Sequence, residues 1–212
     1  MVKRIIILLA VFSAICQVAR AEDLSQENIE KAYYESYAFE KAQYYAGAIS
    51  AMYPVLTAYP KGYTVNFRLG WLSYLNGNYS DALRYYKTAL TVYPASVEVM
   101  QCISLVHKAR ASWVEVEAEN AMIIKIDYFN QTANYWYAVA LKAQKKYDLA
   151  EKVCRKMLTV FPTSVSFLNE LGENLYYKKD KSQSLTMFLS VKVLDPQNEN
   201  AKKFIALLSE KK

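Results

Sequence analysis

Residues 63–96 read YTVNFRLGWLSYLNGNYSDALRYYKTALTVYPAS, and this stretch decides the fold. In its second half Ala82, Tyr86, Ala89 and Leu90 recur three and four residues apart, the spacing of one face of an α-helix. In its first half Leu69-Gly70 sets a small residue on an earlier helix, where two backbones can approach closely. Pro94 closes the second helix, because its ring removes an amide donor and clashes with the preceding turn. Ser96, two residues on, is a residue type that accepts from the first free amides of a new helix.

The same punctuation recurs along the chain. Pro60, Pro94, Pro162 and Pro196 fall 34, 68 and 34 residues apart, so one period of 34 fits all four, with Tyr128 at the place where a fifth would stand. Gly62, Ser96, Asn130, Ser164 and Asn198 follow at the same distance as helix starts. A period of this length belongs to stacked helix-turn-helix units, in which each pair must be covered by the next to bury its apolar face. The units are 29–62, 63–96, 97–130, 131–164 and 165–198, beginning at Ile29, Tyr63, Val97, Gln131 and Val165. Residues 199–208 form a capping helix with Phe204, Ile205 and Leu208 on one side and Lys202 and Lys203 on the other.

Leu171-Gly172 and Tyr137-Ala138 repeat the Leu69-Gly70 pair, and Ala150, Cys154, Met157 and Leu158 repeat the second-helix face. This pattern resembles the tetratricopeptide repeat family: leucine-glycine in the first helix, alanines in the second, a closing proline. The likeness spans residues 29–198 and is sharpest in units two, four and five. It implies an all-α, right-handed superhelical solenoid of antiparallel helix pairs whose first helices line a concave groove. Gly70 is expected opposite Ala82, with Tyr86 and its equivalents filling the space between helices. Unit one departs with Glu35-Ser36, and unit three with Ile103-Ser104, Val116 and Tyr128, although Trp113 keeps register with Tyr45, Tyr79 and Tyr147. Asn120 stands where other units carry Met52, Tyr86, Cys154 and Phe188, which predicts a looser or hydrated contact and makes 97–130 the weak joint of the array.

Residues 1–21 belong to no repeat. Lys3 and Arg4 precede an apolar run from Ile5 to Cys16, and Ala19-Arg20-Ala21 supplies a small-x-small cleavage site, the order of a secretory signal. The run is shorter than the ~20 apolar residues that span a bilayer. The reading is a signal peptide at 1–21 and a single exported solenoid at 22–212, starting at Glu22, soluble, and placed in a bacterial periplasm. Cys16 raises lipidation as a rival, against which Ser13-Ala14-Ile15 argues, since lipid-modified signals place a small residue directly before the cysteine. Losing Lys3, Arg4 and Arg20 takes the formal charge from +6 to +3, and no helix face gathers basic residues interleaved with aromatics, so a nucleic-acid partner is not expected.

Cys102 and Cys154 lie in helices of different units that are not neighbours, and a disulfide needs α-carbons within about 7 Å, so both are read as free thiols. His107 is the lone histidine and is read as a core residue. No nucleophile with an aligned base, no paired acid–base carboxylates and no ligand spacing for a metal emerge, and the 5 scattered glycines make no phosphate loop. The expectation is a non-catalytic protein without cofactor or metal. Asn78-Tyr79-Ser80 and Asn130-Gln131-Thr132 match the glycosylation sequon and are read as incidental.

The chain holds 19 tyrosines, more than helix packing at Tyr45, Tyr79, Tyr147, Tyr59 and Tyr93 accounts for. Tyr33, Tyr37, Phe67, Trp71, Tyr74, Tyr135 and Tyr176 are the expected groove residues, on first helices at spacings that share a face. Large stiff aromatics anchor interfaces, because they bury area for little entropy. The expected function is an interaction scaffold that holds a mostly apolar peptide segment, or a helix, of an envelope protein, meeting the membrane only through that partner. The alternative is an accessory glycan- or peptidoglycan-binding module in which the aromatics hold sugar rings.

Overall fold

The computed structural model describes residues 24–209; the expected leader, its expected Ala19-Arg20-Ala21 site, Cys16 and the expected start at Glu22 lie outside them. Eleven helices and no strand occur among the described residues. They are α1 (Gln26–Lys41), α2 (Tyr45–Ala58), α3 (Tyr63–Leu75), α4 (Tyr79–Val92), α5 (Val97–Ala109) and α6 (Trp113–Ile126), then α7 (Gln131–Ala143), α8 (Tyr147–Val160), α9 (Val165–Tyr177), α10 (Lys181–Leu194) and α11 (Glu199–Ser209). Each helix packs on its neighbours in sequence, and α3–α5 and α7–α9 also touch, which makes five antiparallel pairs and a cap stacked as a right-handed superhelical solenoid.

The local chemistry explains the boundaries. Ser96, Asn130 and Asn198 accept from the amides of Val99, Ala133 and Ala201 at 3.3, 2.9 and 3.0 Å. Gly62 has no side chain to do so, and Ser164 makes no such bond. Unit one corrects the expected start at Ile29: α1 begins at Gln26, where Ser25 accepts from the Asn28 amide, and the extra turn brings Leu24 and Ile29 onto the first core cluster. Between the two helices of every unit the chain turns through a left-handed residue, at Gln43, Gly77, Ala111, Lys145 and Lys179, with φ between 52° and 75°. Only the second unit places glycine there.

The missing proline at Tyr128 has a substitute. The Asn66 side-chain amide donates to the carbonyls of Pro60 and Gly62, at 3.1 and 2.8 Å. Two periods later, at the turn that lacks the proline, Asn134 donates to Tyr128 and Asn130 at 3.0 and 2.9 Å. The carbonyl before each helix start is tied down by the same side chain, so the turn keeps its shape without the ring.

Inside each unit, one first-helix position and one second-helix position share a fixed space. A Cβ built on Gly70 would lie 2.5 Å from the Tyr86 ring, and one on Gly172 would lie 2.8 Å from Phe188. Gly70 therefore meets the Tyr86 ring, which fills the space between the two helices as expected. The other units set Ser36 with Met52, Ser104 with Asn120 and Ala138 with Cys154 at the same two places. Asn120 is 1% exposed, and its amide donates to Ser104 Oγ and to the Val116 carbonyl, each at 2.7 Å. The space is filled, and the amide is paired with a hydroxyl that fits beside it.

Between units a second register operates, 28 residues apart. Glu40 pairs with Arg68, Lys142 Nζ donates to Glu170 at 2.8 Å, Lys108 Nζ sits 3.5 Å from the Trp136 ring centre, and Tyr176 meets Phe204 edge-on at 5.0 Å. Four junctions thus use ion pairs of opposite polarity, a cation over a ring, and two rings.

Candidate functional site

The positions that face neighbouring first helices change character along the stack. Five residues into each unit stand Tyr33, Phe67, Gln101, Tyr135 and Asn169; four further on stand Tyr37, Trp71, Leu105, Val139 and Glu173. Aromatic side chains occupy both places only in units one and two. There α1, its following turn and α3 enclose an open cleft of about 890 Å³. Tyr33, Tyr37 and Tyr45 line it from unit one, Phe67, Trp71 and Leu75 from unit two.

Of the seven aromatics expected in the groove, Tyr33, Tyr37, Phe67 and Trp71 come together in this cleft. Tyr74, Tyr135 and Tyr176 do not line this cleft. Tyr74 lies against the second core cluster beside Tyr79, Tyr135 packs edge-on against Phe167, and Tyr176 against Phe204. Tyr74 and Tyr176 share the register place that points at the next unit, and Phe167 covers Tyr135, so packing uses their rings.

Two charged residues that sequence reasoning did not single out form the wall of the cleft. Arg68 is 6% exposed. Its Nε donates to Ser36 Oγ at 2.9 Å, its Nη1 to Glu40, and its guanidinium lies 3.8 Å over the Tyr37 ring. Glu40 also accepts the Trp71 indole N–H at 2.7 Å, which fixes the indole plane. Nη2 of Arg68 is buried and has no hydrogen-bond partner. Burial also pushes the Tyr33 phenol above its ordinary range, so it stays protonated. The available signal was an arginine inside the apolar run VNFRLGW, 28 residues after a glutamate.

Cys102, Cys154 and His107 do not line the cleft. Cys102 and Cys154 are free thiols, and burial raises both above the ordinary thiol range. His107 is partly buried near Glu115, Arg110 and Lys87, and burial lowers its basicity. Among the described residues no three metal-ligating side chains gather, and no helix is long and apolar enough to cross a membrane.

Comparison with known proteins supports this architecture. Tetratricopeptide repeat models match residues 63–96 and 132–164. No curated protein sequence matches the chain. Among solved structures, a MamA protein superposes with a TM-score of 0.72 at 16% identity, over 82% of this chain and 94% of its own. MamA from Desulfovibrio magneticus RS-1 gives 0.72 at 12% identity, over 83% and 99%. YrrB, described as a TPR protein with an unusual peptide-binding site, gives 0.68 at 12% identity, over 79% and 87%. With two matched repeats set in five of one period, and the same stacking in these structures, the chain belongs to the tetratricopeptide repeat family.

Proposed function

We propose that the protein is an exported, non-catalytic scaffold whose cleft between α1 and α3 holds a mostly apolar peptide segment or helix of an envelope protein. The observation that carries this is the cleft itself. It is as large as sites that enclose small ligands, and it mixes apolar rings with a few fixed polar groups, the composition of a recognition site. Tyr37 keeps 57% of its surface in water although it sits on a guanidinium, so a large apolar face remains available to a partner. Export rests on Lys3-Arg4, the apolar run and Ala19-Arg20-Ala21. The likeness to a peptide-binding repeat protein agrees with a peptide ligand.

Binding to arrayed peptides and glycans, followed by titration of the best binder, tests the reading. Trp71→Ala is expected to weaken peptide binding by more than about 1 kcal/mol, as for a buried aromatic anchor, while shifting the melting temperature less than Gly70→Leu. Equal destabilisation by the two changes makes Trp71 a packing residue and removes the site. Retention on glycans alone selects the sugar-binding alternative. Intact mass of the secreted form checks export: a chain starting at Glu22 without a lipid adduct is expected.

A further inference from the structure

We infer that the ligand of the cleft presents a main-chain carbonyl to the free arm of Arg68. This rests on the reading of the cleft as a peptide site and adds what the peptide must offer there. A guanidinium carries five N–H donors in a rigid planar fork. Here Nε and Nη1 are used, by Ser36 and Glu40, and the side chain has left water almost entirely, yet Nη2 donates to nothing. A buried donor without an acceptor is unfavourable, and a ligand that supplies the acceptor removes that penalty.

The charge balance selects the acceptor. Arg68 and Glu40 already neutralise each other, and both Glu40 oxygens are engaged, one by Arg68 and one by Trp71. A second carboxylate would enter beside Glu40 and leave the pair with a net negative charge where water is scarce. Lys41 lines the same cleft but is exposed, so water and salt screen it. A neutral carbonyl accepts from Nη2 without that repulsion. Tyr37 is the exposed side chain over the guanidinium, and both residues line the cleft.

Small probes separate the acceptor from the apolar contact. N-acetyl-phenylalanine methylamide, N-acetyl-phenylalanine, ethylbenzene and methyl N-acetylglucosaminide are titrated into the protein, with the Trp71 indole N–H and the Arg68 guanidinium followed by nitrogen-detected NMR. The methylamide is expected to shift both signals and to bind at least five-fold more tightly than ethylbenzene, which shifts Trp71 alone. Arg68→Lys keeps a charge beside Glu40 but lacks the second arm, and is expected to abolish that five-fold difference. An unchanged ratio in Arg68→Lys, or an Arg68 signal that never moves in the wild type, overturns the inference. So does the free acid binding more tightly than the methylamide, which selects a carboxylate. The glycoside shifting Arg68 where the methylamide does not selects a sugar and also overturns it. If no probe moves Trp71, the cleft is not a site at all, a failure distinct from the others.

Discussion

A methyl group on Gly70 would lie 2.5 Å from a Tyr86 ring that is fully buried and has nowhere to retreat. Gly70→Ala is therefore expected to cost about 1–3 kcal/mol by overpacking, read as a lower urea midpoint with an unchanged slope. Ala111 presents the opposite case. Its φ of 52° puts a Cβ in the left-handed region, where a side chain costs about 1–2 kcal/mol, and Gly77 shows the residue that fits. Ala111→Gly is expected to raise stability, by up to about 1 kcal/mol once the added freedom of the unfolded chain is subtracted. His107 gives a pH signature. Burial lowers its pKa below the ordinary 6.5, so the fold prefers the neutral ring: its contribution is present above that value and is lost as pH falls below it. Burial raises Glu119 on α6, whose contribution runs the other way, so the comparison is made against His107→Gln. Wild type is expected to lose more stability than that variant between pH 7 and pH 5 in parallel melts. Of these features the sequence shows the small residue at 70 and the bulky Tyr86 that fills the space beside it, but not the left-handed turn at Ala111, because consensus spacing marks helix faces and not backbone angles.

At the scale of helices and turns, legibility followed periodicity. Prolines and capping residues recur at fixed distance, so helix starts from Tyr63 onward fall where expected; α1 does not, because its cap at Ser25 precedes the repeat register. Unit three looked degenerate because consensus types are missing, yet α5 and α6 are complete and Ser104–Asn120 fills the shared space. Complementary volume is a property of a pair, and a single position cannot display it. The same holds for Asn134, whose role appears only when its amide is seen on the Tyr128 carbonyl. Asn134→Ala removes one of the two donors to that carbonyl, leaving Lys156 Nζ at 3.2 Å, and takes from Lys156 the amide oxygen that it donates to. It is expected to cost about 1–3 kcal/mol and to speed hydrogen exchange at the start of α7 more than Asn66→Ala does at α3, where Pro60 still restrains the turn. The cleft was half legible for a related reason. First-helix aromatics could be counted, but that Tyr135 and Tyr176 also pack on Phe167 and Phe204 of later helices shows only in the stacked arrangement.

Across the whole molecule, the 28-residue register makes the junctions non-equivalent. Glu40 answers Arg68 at one end, whereas Lys142 answers Glu170 and Glu173 near the other, with polarity reversed. Lys142→Met leaves Glu170, 4% exposed, without its cation and beside a second carboxylate, and is expected to cost about 3–5 kcal/mol at pH 7. Burial raises the Glu170 pKa above its ordinary 4.5, and Lys142 holds it back; without the lysine it rises further. A carboxyl whose folded pKa is raised favours the fold at low pH, so the deficit of the variant relative to wild type is expected to shrink as pH falls from 7 toward 4.5. Melts across that range check it, and a constant deficit contradicts the assignment. The last junction differs from these in kind: Phe204 of α11 stacks on Phe188 at 4.7 Å and meets Tyr176 edge-on. Because α11 follows the ten other described helices in the chain, it is made after all of them. Until it docks, the pair α9–α10 carries an uncovered aromatic face formed by Tyr176 and Phe188. A transcript truncated before Glu199 therefore yields not a shorter array but a chain that displays its own incompleteness to chaperones and proteases.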